Sequence, residues 1–383
     1  MALSDIPFTS GSYSQKRITK SIERSGSWLA NILRPLPGRH VSAAAGGHLP
    51  NVLVHMAGGT TPVARQAFSQ SLLEPLFDKE AEAIKPLNNL DQGVAGYTFD
   101  LAPLHKSLSP AAPHTATKNG LVGTIDIFTA PPAPSVIKQV VSLIRTSLEP
   151  LPATKPRFVH SAGSPHEILA LIRDVGIDLF DAHWAQRAAD VGVALDFVFP
   201  ASPPTTGASD AAPREIGHNF YDKSYSHDFS SFADTLRSCS AEPDDKRPAC
   251  TCLACAPSRP SETLKLSRLD EVAPLQTPAP YTRAYVHHLL HTHEMAAHTL
   301  LTLHNLAVLD TFFAGVRRVL SEQPDVFPLE ITRFEQMYDG RLGVLAEAKK
   351  AWTEVSLARG KGRLAREREK LKQDTLGTAV ELN

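Results

Sequence analysis

Three of the four cysteines in this chain, Cys250, Cys252 and Cys255, fall within six residues. A C-x-C-x2-C run this tight turns three thiolates toward one point, and one further donor completes the tetrahedron that a structural Zn²⁺ prefers. The downstream helical stretch offers His287, His288, His291, His293, His298 and His304, and distance alone does not choose among them. Two other readings compete: a disulfide network, or reduced thiols without a ligand. Three clustered cysteines leave an odd thiol, and nothing upstream has the form of a secretory signal, so the metal reading is the stronger one. The remaining cysteine, Cys239, is spare.

At 383 residues with 42% apolar content, the chain has room for one large α/β domain or two smaller ones. Its formal net charge of −1 gives no global attraction to nucleic acid, so any RNA contact must come from a local patch. No apolar run approaches the roughly 18 residues needed to span a bilayer. A soluble, reducing, intracellular setting is the expectation.

Apolar periodicity orders the rest. Ile18, Ile22, Leu29 and Leu33 recur near helical spacing within 14–33, with Lys16, Arg17, Lys20 and Arg24 on the polar side, which predicts an amphipathic helix. Val52–Met56 predicts a buried strand running into the turn Ala57-Gly58-Gly59, and residues 61–85 then read as helical. Further strands are predicted at 96–99, 156–160 and 176–181, with a helix over Pro165–Val175 between the last two. Alternating buried strands and helices mark a parallel sheet or an αβ barrel. Segments 102–134, 201–213 and 256–280, rich in Pro, Ala, Ser and Thr, are expected to be insertions outside the core. A long helical region begins at Tyr281. The tail 359–372 carries seven basic and two acidic residues, net +5, and reads as a solvated helix or one that touches RNA. No P-loop or G-x-G-x-x-G lies between strand and helix.

The string GIDLFD at 176–181, the knuckle CTCLAC at 250–255 and YTRAYVHHLLHTHEM…LHNL at 281–306 together resemble the tRNA-guanine transglycosylase family. In character the chain is most similar to the non-catalytic accessory subunit of eukaryotic members, which pairs with a separate catalytic subunit. The resemblance runs from the first residues to about Asp339. It implies a (β/α)8 TIM-barrel fold of the α/β class with a zinc-binding subdomain, one structural Zn²⁺, a heterodimer with the catalytic subunit, and tRNA as the shared substrate. Expected divisions are a partial barrel over 1–238, a zinc subdomain with closing helices over 239–339, and a charged tail over 340–383. Localisation is expected in the cytoplasm, with peripheral association at the mitochondrial outer membrane as the family's further implication.

Active members exchange a guanine in the anticodon loop for queuine or a precursor. One carboxylate attacks the ribose and a second moves protons on the bases. The resemblance puts Asp181 at the nucleophile position, at the C-terminal end of its strand, where barrel chemistry is found; read from geometry alone, the same carboxylate caps the next turn. It also chooses His304, of the pair His304-Asn305 ten residues after Glu294, as the fourth metal ligand beside Cys250, Cys252 and Cys255.

Departures from the family pattern point away from chemistry in this chain. Ala57 stands where active members carry a purine-reading glutamine, and Phe99-Asp100-Leu101 stands where they carry Gly-Gly-Leu. Ala185-Gln186-Arg187 replaces Pro-Thr-Arg. The opening MALSDIP aligns inside the barrel, so the first strands, with the proton-transfer aspartate, are expected to be missing, through a shortened product or an internal Met1. The expected role is therefore non-catalytic, with an active transglycosylase using Asp181, or a zinc-stabilised RNA or protein interaction module, as the alternatives.

Overall fold

The computed structural model describes residues 1–5, 14–34, 51–109, 132–201, 212–236, 250–256 and 280–358. It divides into two units, Met1–Trp184 and Ala185–Asn383. Cys239, most of the insertions 201–213 and 256–280, residues 110–131 of the first insertion and the basic tail from 359 lie outside the described residues.

The first unit opens with α1 (Gln15–Leu33), whose start is capped by the Ser14 side chain accepting from the Arg17 amide. Its buried face is Ser21, Ser25, Leu29 and Leu33, spaced by four, and it docks on Asp5. The Ser25 hydroxyl accepts from the Asp5 amide at 2.9 Å, while Arg17 and Arg24 hold the Asp5 carboxylate at 2.8 and 3.2 Å. The hydrogen bond from Arg17 therefore keeps Asp5 below the usual carboxylate range against the opposing effect of partial burial.

Next come β1 (Val52–His55), α2 (Pro62–Leu73), α3 (Asp78–Ala83), β2 (Val94–Asp100), α4 (Leu101–Leu108), α5 (Pro134–Leu148), β3 (Arg157–His160), α6 (Pro165–Val175) and β4 (Leu179–Phe180). The four strands form one parallel sheet in the order β1-β2-β3-β4. Parallel neighbours need a crossover, and the helices between the strands supply it. An α/β fold with a parallel sheet is thus what the alternating pattern forms.

Several boundaries differ from the sequence reading. The stretch 61–85 is two helices, because α2 ends before Pro75, a residue that cannot continue the helical hydrogen-bond ladder. The fourth strand is shorter than 176–181: Gly176, at φ +72°, ends α6 in the left-handed conformation, so the strand starts later. The first insertion is not wholly outside the core. Residues 101–108 form α4, capped by Asp100 and burying Leu101, Ala102, Leu104 and His105, and 134–148 form α5 with Pro134 in its first turn.

In the second unit, α7 (His183–Asp190), which begins at the unit boundary, leads to β5 (Val193–Leu195), which pairs antiparallel with β6 (Gly217–Asn219). The helical region after Tyr281 is two helices, α8 (Arg283–His291) and α9 (Met295–Glu322), separated by a turn in which His293 takes φ +61°. Then follow α10 (Phe327–Met337) and a helix over 343–358. The core here is aromatic: Phe197 meets Phe312, Phe334 and Tyr338 edge to face at centroid distances of 5.5–6.3 Å. Helix α9 approaches its neighbour closely enough that a Cβ on Gly315 would lie 1.7 Å from the Phe199 carbonyl oxygen.

Among the described residues α9 alone is long and apolar enough to cross a membrane, with a mean hydropathy of 1.3 over its best window. This differs from the expectation that no apolar run approaches that length: α9 interleaves its leucines with polar residues, which hides its mean hydropathy. Its buried face carries Ala297, Leu301, His304, Asn305, Val308 and Phe312, packed in the second unit, as the core helix of a folded domain does.

Candidate metal centre

Cys250, Cys252 and Cys255 occupy a short turn over 250–256, and His304 projects from the third turn of α9. The structure brings these four side chains together. Their donor atoms all lie within 4.8 Å of one another, and all four residues are buried. The Nδ1 atom of His304 is 3.6 Å from Cys250 Sγ, 3.6 Å from Cys252 Sγ and 3.5 Å from Cys255 Sγ. A tetrahedral centre with metal–sulfur bonds of about 2.3 Å and a metal–nitrogen bond of about 2.0–2.1 Å requires sulfur–nitrogen separations of about 3.6 Å. The observed spacing has the size of one ion. No disulfide links the three cysteines.

The local chain explains why the knuckle holds its shape. The Cys255 amide donates to Cys252 Sγ at 3.2 Å, and the Ala256 amide donates to the Cys252 carbonyl at 2.8 Å, closing a turn around the second sulfur. Tyr281, beyond the second insertion, returns to the knuckle and donates its amide to the Ala254 carbonyl at 3.0 Å. Phe232 covers the imidazole edge to face at 5.3 Å. On its far side His304 Nε2 lies 2.9 Å from the Leu195 carbonyl oxygen, an acceptor only, so Nε2 carries a proton and Nδ1 faces the sulfurs.

Electrostatically this group calls for a cation. Cys252 is drawn far below the ordinary thiol range by hydrogen bonds from Cys250 and Cys255, while the same two neighbours push Cys255 far above it. Burial would lower the His304 pKa, yet the Cys250 and Cys252 sulfurs override it and lift the imidazole to about 10. All three sulfurs can be thiolates in a buried pocket only with positive charge among them, which a metal ion would supply. The four donors could hold one ion and leave no side open for a reacting water.

The other histidines have separate work. His287 Nδ1 meets the Phe220 carbonyl at 2.9 Å, His291 Nε2 the Tyr221 carbonyl at 3.2 Å, and His298 Nδ1 the Ala189 carbonyl at 3.1 Å. Sequence reasoning missed a second polar centre in this unit. Asp196, 1% exposed, accepts from His218 Nε2 and Arg214 Nη2 at 2.9 Å each, from the Asp234 and Thr235 amides at 2.8 and 3.0 Å, and from the Thr235 hydroxyl. Asp196, His218 and Asp234 are close enough for a metal. The carboxylate oxygens already serve a guanidinium and backbone donors, however, and Arg283 also holds Asp234 at 2.6 Å, so we read this group as an ion-pair network.

In the first unit, Asp181 follows β4 and is 27% exposed. Its Oδ2 accepts from the Ser161 amide at 3.0 Å and its Oδ1 from the His183 amide at 3.3 Å, while His160 Nδ1 lies 3.6 Å away. It thereby ties Ser161, after β3, to His183 within the first unit, a capping arrangement. Asp100 caps α4 through the Ala102 amide at 3.0 Å, and Ala57 is 2% exposed. His55, at the end of β1, accepts from or donates to the Ser4 hydroxyl at 2.5 Å, and burial lowers its pKa to about 4.

Comparison with known proteins adds to this geometry. A family model described as queuine tRNA-ribosyltransferase matches residues 135–336, more than half of the 383-residue chain and a span that contains all four donors. Similar proteins include queuine tRNA-ribosyltransferase accessory subunit 2 of Aedes aegypti, 28% identical over 183 residues, which are 48% of this chain and 33% of the relative. That of Schizosaccharomyces pombe is 30% identical over 196 residues, 50% of this chain and 35% of the relative. That of Xenopus tropicalis is 30% identical over 183 residues, 48% of this chain and 41% of the relative. The matches therefore span about a third to two fifths of the relatives' length. The chain belongs to the queuine tRNA-ribosyltransferase family.

Proposed function

We propose that the chain acts as a non-catalytic accessory subunit of queuine tRNA-ribosyltransferase, assisting a catalytic partner that exchanges guanine for queuine at the wobble position of the tRNA anticodon. The observation that carries this reading is the contrast between its two units. The donor set of Cys250, Cys252, Cys255 and His304 has the geometry of a structural Zn²⁺ site, whereas the strand ends carry an apolar Ala57, a helix-capping Asp100 and an Asp181 engaged by backbone amides. Zinc suits three soft thiolates and one imidazole, and a closed four-donor site makes it a clamp between the knuckle and α9. In this reading the four parallel strands belong to a (β/α)8 barrel.

The same metal region offers a surface for a heterodimer. Leu253 at the knuckle is 50% exposed, and Tyr281, whose amide bonds the Ala254 carbonyl, stacks on Tyr285 at 5.5 Å, with 39% and 43% exposure. Exposed apolar side chains clustered at one place mark an interaction face. We assign this face to the catalytic subunit, with tRNA bound by the pair, and place the complex in the cytoplasm.

The test is co-purification with the catalytic subunit, followed by queuine incorporation into tRNA measured with and without this chain. Stimulation that depends on the chain, with no activity from the chain alone, is expected. A covalent tRNA adduct on Asp181 of the isolated chain would instead establish an active transglycosylase, the reading favoured by the placement of Asp181 at the C-terminal end of a parallel strand.

A further inference from the structure

Asn305 adjoins the proposed metal ligand His304 on α9 and is fully buried, yet it belongs to no metal and no catalytic group. Its carboxamide makes three hydrogen bonds, all to main chain. The oxygen accepts from the Leu195 amide at 2.8 Å, and the nitrogen donates to the Val193 carbonyl at 2.9 Å and the Ala185 carbonyl at 3.1 Å.

The pattern has a backbone logic. In a strand, residues two apart present their N–H and C=O groups on the same edge. One edge of β5 pairs with β6: Ala194 stands opposite His218, the Phe220 amide donates to the Gly192 carbonyl, and the Asp196 amide donates to the Ile216 carbonyl. The other edge presents the groups of Val193 and Leu195, and no strand covers it among the described residues. Asn305 takes the Val193 carbonyl and the Leu195 amide, as the peptide group of a neighbouring strand would. His304 Nε2 takes the Leu195 carbonyl at 2.9 Å, so adjacent side chains grip both polar groups of one residue.

We propose that Asn305 is the positioning residue for the metal centre: it fixes the register of α9 against β5, so that the His304 ring is held by the Leu195 carbonyl with Nδ1 aimed at the three sulfurs. This inference rests on the reading of Cys250, Cys252, Cys255 and His304 as a metal site. Partners that orient a ligating histidine typically contribute about 10–100-fold to metal affinity.

The experiment titrates the full chain with Zn²⁺ against a competing chelator, for wild type, Asn305→Ala, Asn305→Ser and Phe312→Ala. Phe312 is buried on the same helix two turns away, packs on Phe197 and Phe199, and serves as a control for loss of stability alone. In parallel, ¹⁵N-histidine NMR of the zinc-loaded proteins follows solvent exchange of the His304 Nε2–H, which its hydrogen bond to the Leu195 carbonyl slows. Asn305→Ala is expected to hold zinc about 10–100-fold more weakly and Asn305→Ser to fall between it and wild type. The His304 Nε2–H is expected to exchange with solvent faster in Asn305→Ala, because its hold on the Leu195 carbonyl loosens, while Phe312→Ala keeps wild-type affinity and exchange. Equal affinity and unchanged Nε2–H exchange in both Asn305 variants, or an equal loss in Phe312→Ala, would overturn the inference. Failure of wild type to bind zinc would overturn the metal reading itself, which is a separate result.

Discussion

At the scale of single residues, Asp196 shows how much of the second unit hangs on one buried charge. Burial on its own would raise its pKa, but the hydrogen bond and charge of His218, the Asp234 amide and the Arg214 charge outweigh that and leave the carboxyl below its ordinary 3.8. A depressed carboxylate stabilises the fold fully above its unfolded pKa, and that stability drains as pH falls through the lower folded value. Acid titration of stability should therefore show a loss that begins below about pH 4, and Asp196→Asn should flatten that limb. Asp196→Ala leaves Arg214 and His218 without their shared partner and is expected to cost about 3–5 kcal/mol in chemical denaturation. The ligands behave differently. Cys255→Ser should abolish stoichiometric metal while Cys239→Ser leaves it intact, read by metal analysis of the purified variants.

Elements show why the knuckle was legible early and its surroundings were not. Three cysteines within six residues carry their geometry in their spacing, because a short turn confines where the sulfurs point. His304 lies 49 residues beyond Cys255, and only the family likeness of the His304-Asn305 pair separated it from five other histidines. Those five turned out to face backbone carbonyls, a turn or solvent, which no periodicity reveals. The clamp of Asn305 on β5 was invisible for the same reason: its partners are main-chain atoms 110–120 residues away. Helix α5 was hidden because its first turn lies in a proline-rich stretch, and proline in a first turn starts a helix as readily as it marks a loop. Gly315 carries the prediction at this scale. With a backbone oxygen 1.7 Å from where a Cβ would go, α9 must move to accept a side chain. Gly315→Ala should destabilise by about 3 kcal/mol, the upper end for overpacking, and shift the denaturation midpoint accordingly.

Across the whole molecule, a parallel α/β sheet whose strand ends serve as helix caps is followed by a second unit built around a buried Cys₃His group. If the ion clamps the knuckle to α9, its removal should be felt as lost folding stability. At an ion concentration about a thousand times Kd, binding contributes about 4 kcal/mol, or about 8–16 °C in Tm for a unit of this size. Thermal unfolding with and without a strong chelator checks this, and Cys255→Ser should be insensitive to the chelator. The most direct measurement of the central claim is zinc-edge X-ray absorption together with metal quantification on the purified chain. One zinc per chain is predicted, with three sulfurs at about 2.3 Å and one nitrogen at about 2.0–2.1 Å. A chain that purifies without stoichiometric metal and takes up none when supplied, or a centre with a different set of donors, would contradict it.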